Sequence, residues 1–146
     1  MQVVDNGFTV KGYSRLFFGN KYVDSFTPDC FWQTPLADKH FSYTVDLSNV
    51  GCECCVTAYF VDMPGNPYYG GPEGDFYCDA NKINDFWCPQ FDTMNANKYT
   101  LASKMHTCSQ DGQDINGKWD SCDRGGCMVN SYNIDPDMVC PVDRFV

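Results

Sequence analysis

The sequence predicts an all-β, antiparallel, disulfide-rich protein with long Pro/Gly loops. Three observations carry that expectation. Apolar side chains alternate with polar ones at period two, helical periodicity is nearly absent, and ten cysteines stand among plentiful Gly and Pro. Aromatic residues make up 16 % and charged residues only 20 %, which suits an extracellular β-protein. At 146 residues the chain can bury a respectable core as a single domain, 1–146, with no internal repeat, linker or second unit.

The elements follow in order. Phe41, Tyr43, Val45 and Leu47 alternate onto one face, as a half-buried strand requires. Val56, Ala58 and Phe60, with Met63 after a break, form a second such run. Residues 63–75 (MPGNPYYGGPEGD) read as a Pro/Gly loop, as do residues 111–126 (DGQDINGKWDSCDRGG). Asn97 to Met105 offers the one place for a short helical turn.

Ten cysteines are a heavy and even load. Two C-x2-C pairs, as zinc sites use, are absent; Cys52-Glu53-Cys54 and the adjacent Cys54-Cys55 come nearest, without a second cluster or histidines. Disulfides are the better reading, and they place the protein in an oxidising, extracellular compartment with no metal and no cofactor. Met1 is followed by Gln-Val-Val-Asp rather than a basic and then apolar run, so the sequence reads as a mature or trimmed form. No Asn-x-Ser/Thr sequon occurs, and no apolar run is long enough to span a membrane.

A net charge of −9 argues against nucleic acid and acidic membrane surfaces, both of which demand basic patches. Part of the acid lies at Asp111, Asp114, Asp120 and Asp123. Asp114, Asn116, Gly117 and Asp123 fall at positions three, five, six and twelve of a calcium loop. The first position would be Gly112, which has no side-chain ligand, so a solvated acidic loop is preferred.

Residues 88–99, CPQFDTMNANKY, hold the most telling pattern. Gln90, Asp92 and Asn95 stand at spacings of two and three. Gln90 and Asp92 share a strand face by period two, whereas Asn95 has the opposite parity and reaches that face only across a bulge after Asp92. Carboxamides donate and accept hydrogen bonds but neither attack nor transfer protons at useful pH. The alternative is that all three are ordinary strand and turn polars. Of the two histidines, His40 is expected to face solvent and His106 to serve either a cleft or a disulfide. Trp32, Trp87, Trp119, Tyr68, Tyr69 and Tyr99 are candidate stacking platforms for sugars, with Trp87 better read as core.

This stretch resembles the active-site strand of glycoside hydrolase family 7, secreted cellulases of β-jelly-roll fold, which reads glutamate, any residue, aspartate, any two, glutamate, Ala-Asn. Asp92, Ala96 and Asn97 are kept, and Gln90 and Asn95 stand where the two glutamates belong. Phe91, Thr93 and Met94 also depart from the family's residues, as drift would leave them. Residues 12–20, 40–52 and 57–66 resemble strands of the family; 104–108 (KMHTC) resembles the segment that carries a cleft histidine, here His106, and 121–127 a cysteine-bearing loop. The resemblance implies a truncated jelly-roll β-sandwich, since the chain corresponds to well under half of a family catalytic domain. It implies disulfides Cys78–Cys88 and Cys108–Cys122. Cys52 with Cys30 and Cys127 with Cys140 are then the local pairings expected, with Cys54 and Cys55 unassigned and an intermolecular bridge as the alternative.

A retaining glycosidase needs two carboxyls about 5 Å apart, so two amides at those positions imply a pseudo-glycosidase with no catalytic residues and a degenerate cleft of Gln90, Asp92, Asn95 and His106. Three functions are in play. The chain is expected first as a structural subunit that assembles with itself, through strand edges, into an extracellular fibre or coat. The alternative is a monomeric protein that binds cellulose-type β-glucan. The third is a hydrolase using Asp92 with Asp85 or Asp79.

Overall fold

A computed structural model describes residues 2–63, 76–109, 114 and 119–134. The described chain is all-β and antiparallel, with one single-turn α-helix. A hairpin of β1 (Gln2–Val4) and β2 (Gly7–Thr9) comes first, and a 3-10 turn follows at Pro28–Cys30. A four-stranded sheet is built from β3 (Val56–Val61), β4 (Gln90–Ala96), β5 (Leu101–His106) and β6 (Cys127–Asn130), in that spatial order. A 3-10 turn at Ile83–Asp85 precedes β4, and α1 (Ser131–Ile134) closes the described residues. No described helix is long and apolar enough to cross a membrane.

β4 is the central strand, paired with β3 on one side and β5 on the other. The side chain of Asn97 makes the β4–β5 turn. Its Oδ1 accepts the Tyr99 and Thr100 amides at 2.9 and 3.2 Å, and its own N–H donates to the Thr100 carbonyl. The helical turn expected between Asn97 and Met105 is therefore absent. An Asx turn leads directly into β5, which pairs with β4 on one side and β6 on the other.

On the back of the sheet, Leu47, Met94 and Ala96 are buried together with Val50 and Ala58 against them. The expected strand over 41–47 forms no ladder. It lies across this face instead, with Phe41 5.1 Å from the Phe60 ring and the Tyr43 hydroxyl 3.1 Å from Thr93 Oγ1. Alternation reports which side chains seek apolar cover, and the back of β3 and β4 supplies that cover without backbone pairing. Residues 12–20 likewise contribute one bridge, Gly19 to Phe31, rather than a strand. Gly19 fits there because a Cβ would stand 3.3 Å from the Cys30 carbonyl.

Among the described residues two disulfides are formed, Cys78–Cys88 and Cys108–Cys122. The first is buried with Phe86 beside Val61, at the entry to β4. The expected Cys30–Cys52 bond is not made, because the two cysteines belong to opposite ends of β4. Cys30 is buried next to Phe31, whose ring packs on Phe17 and through it toward Tyr77 near the start of the strand. Cys52 is exposed in the loop that the Val50–Lys98 backbone bond pins beside the strand's end, and seven strand residues span about 20 Å. Cys54, Cys55 and Cys127 are also exposed thiols, whereas Cys140, the expected partner of Cys127, lies outside the described residues.

Candidate functional site

The front of the sheet is polar, and β4 sets its chemistry. Between Asp92 and Asn95 the ladder slips: Asp92 faces Tyr59 and Lys104, while Asn95 faces Thr57 and Ala102. Thr57 and Tyr59 share a face by period two, so Asp92 and Asn95 share it as well. Thr93 is the residue left over against β3. Thr93 Oγ1 donates to the Ala58 carbonyl at 2.9 Å, and Ser103 Oγ donates to the Asp92 carbonyl at 2.9 Å. Two hydroxyls thus satisfy carbonyls at the slipped register.

Gln90, Asp92 and His106 form one buried cluster. Gln90 Nε2 donates to Asp92 Oδ1 at 2.5 Å, and Gln90 Oε1 accepts the Ala80 N–H at 3.3 Å. His106 lies directly opposite Gln90 across the β4–β5 ladder. Its Nδ1 is 2.8 Å from the Asp123 carbonyl, which can only accept, so Nδ1 carries a proton and Nε2 is turned to Asp92 Oδ2 at 3.6 Å. Asp123 is held in turn by its backbone N–H, which donates a hydrogen bond to the Thr107 carbonyl, and by the adjacent Cys108–Cys122 bridge. Close approach at this corner demands Gly126, at φ +69°, where a Cβ would stand 2.6 Å from Lys104 Cγ and 2.9 Å from the His106 ring.

A second carboxylate enters from the Cys78–Cys88 loop. Tyr77 donates to Asp79 Oδ2 at 2.8 Å, the Asn81 amide donates to Oδ1 at 2.7 Å, and Tyr59 supplies a hydrogen bond to the Tyr77 oxygen at 3.0 Å. Burial, reinforced by the bonds to Tyr59 and Asp79, pushes the Tyr77 phenol far above its usual range, so it stays neutral.

These groups line an open groove of about 370 Å³. Gln90, Asp92, Asn95 and His106, the four residues expected in a cleft, all lie on it. Asp79 lies there too, but Asp85 does not: its side chain is 90 % exposed and faces Lys82 at 3.7 Å. Trp32, Trp87, Trp119 and Tyr99 are off the groove, and Tyr68 and Tyr69 lie outside the described residues. Sequence reasoning missed Tyr59, Lys104, Arg15 and Arg124. Period two back from His106 would have given Lys104. No sequence signal places Arg15, because a long loop brings it in.

The groove can hydrogen-bond hydroxyl-rich ligands through amides, carboxylates and an imidazole. Its two carboxylates are each already bonded to neighbours, and neither Gln90 nor Asn95 can relay a proton. Among the described residues no group of three His, Cys, Asp or Glu side chains is placed to hold a metal ion. Most of the calcium-like loop lies outside the described residues. No protein-family model matches the chain, and none of the curated proteins compared with it matches either.

Proposed function

We propose that the chain is a secreted, non-catalytic β-glycan-binding protein, a degenerate relative of glycoside hydrolase family 7 on that family's jelly-roll sandwich. The placement of Asn95 carries this reading. A ladder slip brings its amide onto the face of Gln90, Asp92 and His106, as a cleft requires and a plain strand does not. Amides at the two glutamate positions keep hydrogen bonding and remove acid–base and nucleophilic chemistry. The Cys78–Cys88 and Cys108–Cys122 bridges agree with the same resemblance and favour an oxidising compartment. The test is calorimetric titration with β-1,4-linked hexasaccharides, neutral and acidic, of the wild type and of Asn95→Leu. Saturable binding that Asn95→Leu weakens supports the reading; flat titrations with every hexasaccharide sink it.

Self-assembly into a fibre or coat is the second reading. The exposed thiols of Cys52, Cys54 and Cys55 crowd one loop, and β6 presents half-exposed Met128 and Val129 at the end of the sheet order. Sedimentation of the unreduced chain decides it: disulfide-linked oligomers favour assembly, and a monomer at all concentrations removes it.

A further inference from the structure

The groove is unlike the rest of the molecule in charge. Among the described residues Lys104, Arg124 and Arg15 line it beside the carboxylates of Asp79 and Asp92, whereas the whole chain carries −9. The two signs also sit at different depths. Asp79 and Asp92 are buried, 8 % and 3 % exposed, and engaged by Tyr77, the Asn81 amide and Gln90. Arg124 is exposed and Lys104 half-buried, so a ligand meets these two cations before it meets the carboxylates.

The cations are also positioned. The Arg124 guanidinium stacks 5.1 Å above Trp87 and donates from Nη2 to the Asn81 carbonyl at 3.1 Å. Among the described residues neither Arg124 nor Lys104 forms an ion pair. Arg15 lies 3.5 Å over the Tyr77 ring and so covers the aromatic face on which a neutral sugar would stack. The tryptophans are elsewhere. With the Tyr77 face covered, Tyr59 is the one aromatic ring left open on the groove among the described residues, and the cations at its rim favour charge over ring faces.

We propose that this groove binds an anionic β-glycan, whose uronate carboxylates or sulfate esters are taken by Lys104 and Arg124 while its hydroxyls meet Gln90 and Asn95. The proposal rests on the glycan-binding reading and narrows its ligand. The overall negative charge does not forbid it, because interactions beyond a Debye length of about 10 Å at 0.1 M salt are largely screened, whereas contacts in the groove are not.

The test uses the intact, unreduced chain and three β-1,4-linked hexasaccharides: cellohexaose, its fully C6-oxidised uronate form, and a sulfated form. Calorimetry is expected to give at least about tenfold tighter binding for an acidic form than for cellohexaose at low salt, with the advantage shrinking at 0.5 M salt. Lys104→Gln and Arg124→Gln should each cut that ratio by about fivefold, whereas Lys21→Gln, a surface charge away from the groove, should leave it unchanged. Thermal melts confirm that each variant is folded, and the two groove variants are independent, so loss of one fold does not remove the test. Preference for the uronate alone, or the sulfate alone, supports the proposal and names the anion. Equal or better binding of cellohexaose overturns the anionic assignment and leaves glycan binding standing. No binding of any of the three overturns both.

Discussion

Asn95 and Asp92, three residues apart on β4, present their side chains to the same face of the sheet because Thr93 drops out of the ladder between them and β3. The slip is held locally, by the Thr93 hydroxyl on the Ala58 carbonyl and on the Tyr43 phenol. Thr93→Val keeps the shape and removes both bonds. It should cost about 1 kcal/mol in urea unfolding and weaken glycan binding, as Asn95 loses its fixed position. Wild-type stability and affinity in this variant would show that the slip is set by the ladder alone.

Placing carboxyls at positions 90 and 95 tests the proposed likeness to a retaining glycosidase. Gln90→Glu together with Asn95→Glu should cleave an aryl β-cellobioside slowly, whereas either single variant should not. Gln90→Glu alone also has a stability signature. Gln90 Nε2 now donates to Asp92, and a carboxylate there would face another carboxylate at hydrogen-bond distance. Sharing one proton raises the pair's affinity for it, so the variant is expected to be more stable at pH 4.5 than at pH 7. The opposite order in thermal melts would mean that the two side chains separate.

The depth to which the site could be read differs by residue, and the reasons are physical. The shared face of Gln90 and Asp92, and the slip that Asn95 needs, follow from period two, which leaves a strand no freedom. The fate of 41–47 was not fixed that way, since alternation marks an apolar face without saying whether the backbone finds an edge. Phe41 and Tyr43 satisfy it by lying on Phe60 and Thr93. The Asx turn at Asn97 resembles a helical turn in sequence, because four residues of turn leave little periodicity. Arg15 reaches the groove through the tertiary path of a long N-terminal segment, which no local pattern encodes.

Alkaline titration should report Tyr77. Its pKa is raised in the folded chain, so folding favours the neutral phenol. The contribution is therefore full below about pH 10, the unfolded value, and is lost progressively as pH rises toward the folded one. Wild-type stability should fall above pH 10 more steeply than that of Tyr77→Phe. At neutral pH the same variant should be less stable by about 1–3 kcal/mol, since Asp79 loses a buried donor. Parallel pH profiles for the two proteins would show that other groups govern the alkaline limb.

Thiol reactivity separates the cysteines. In the native, monomeric chain, iodoacetamide should modify Cys52, Cys54 and Cys55 quickly and Cys30 only on unfolding, because Cys30 is buried beside Phe31. Cys78, Cys88, Cys108 and Cys122 should resist until reduced. Protection of Cys127 together with Cys140 in peptide mass maps would establish the bridge between them. Protection of the 52–55 cluster in the unreduced protein, released by reductant with a drop in native mass, would instead assign those thiols to contacts between chains.

Gly126 offers the last test, because one methyl group there strikes two groove residues at once. The backbone at φ +69° already disfavours alanine, by about 1 kcal/mol. The added Cβ would also meet Lys104 Cγ at 2.6 Å and the His106 ring at 2.9 Å. Lysine methylenes can swing aside, but the imidazole is buried and tied through Nδ1 to the Asp123 carbonyl, so relief must come from moving the ring or the start of β6. Gly126→Ala should therefore lose about 2 kcal/mol or more and shift the His106 imidazole resonances in NMR spectra. Glycan affinity should fall with them, since His106 and Lys104 share the groove. A destabilised variant with unshifted His106 resonances and full affinity would place the strain in β6 and free the groove of any dependence on this corner.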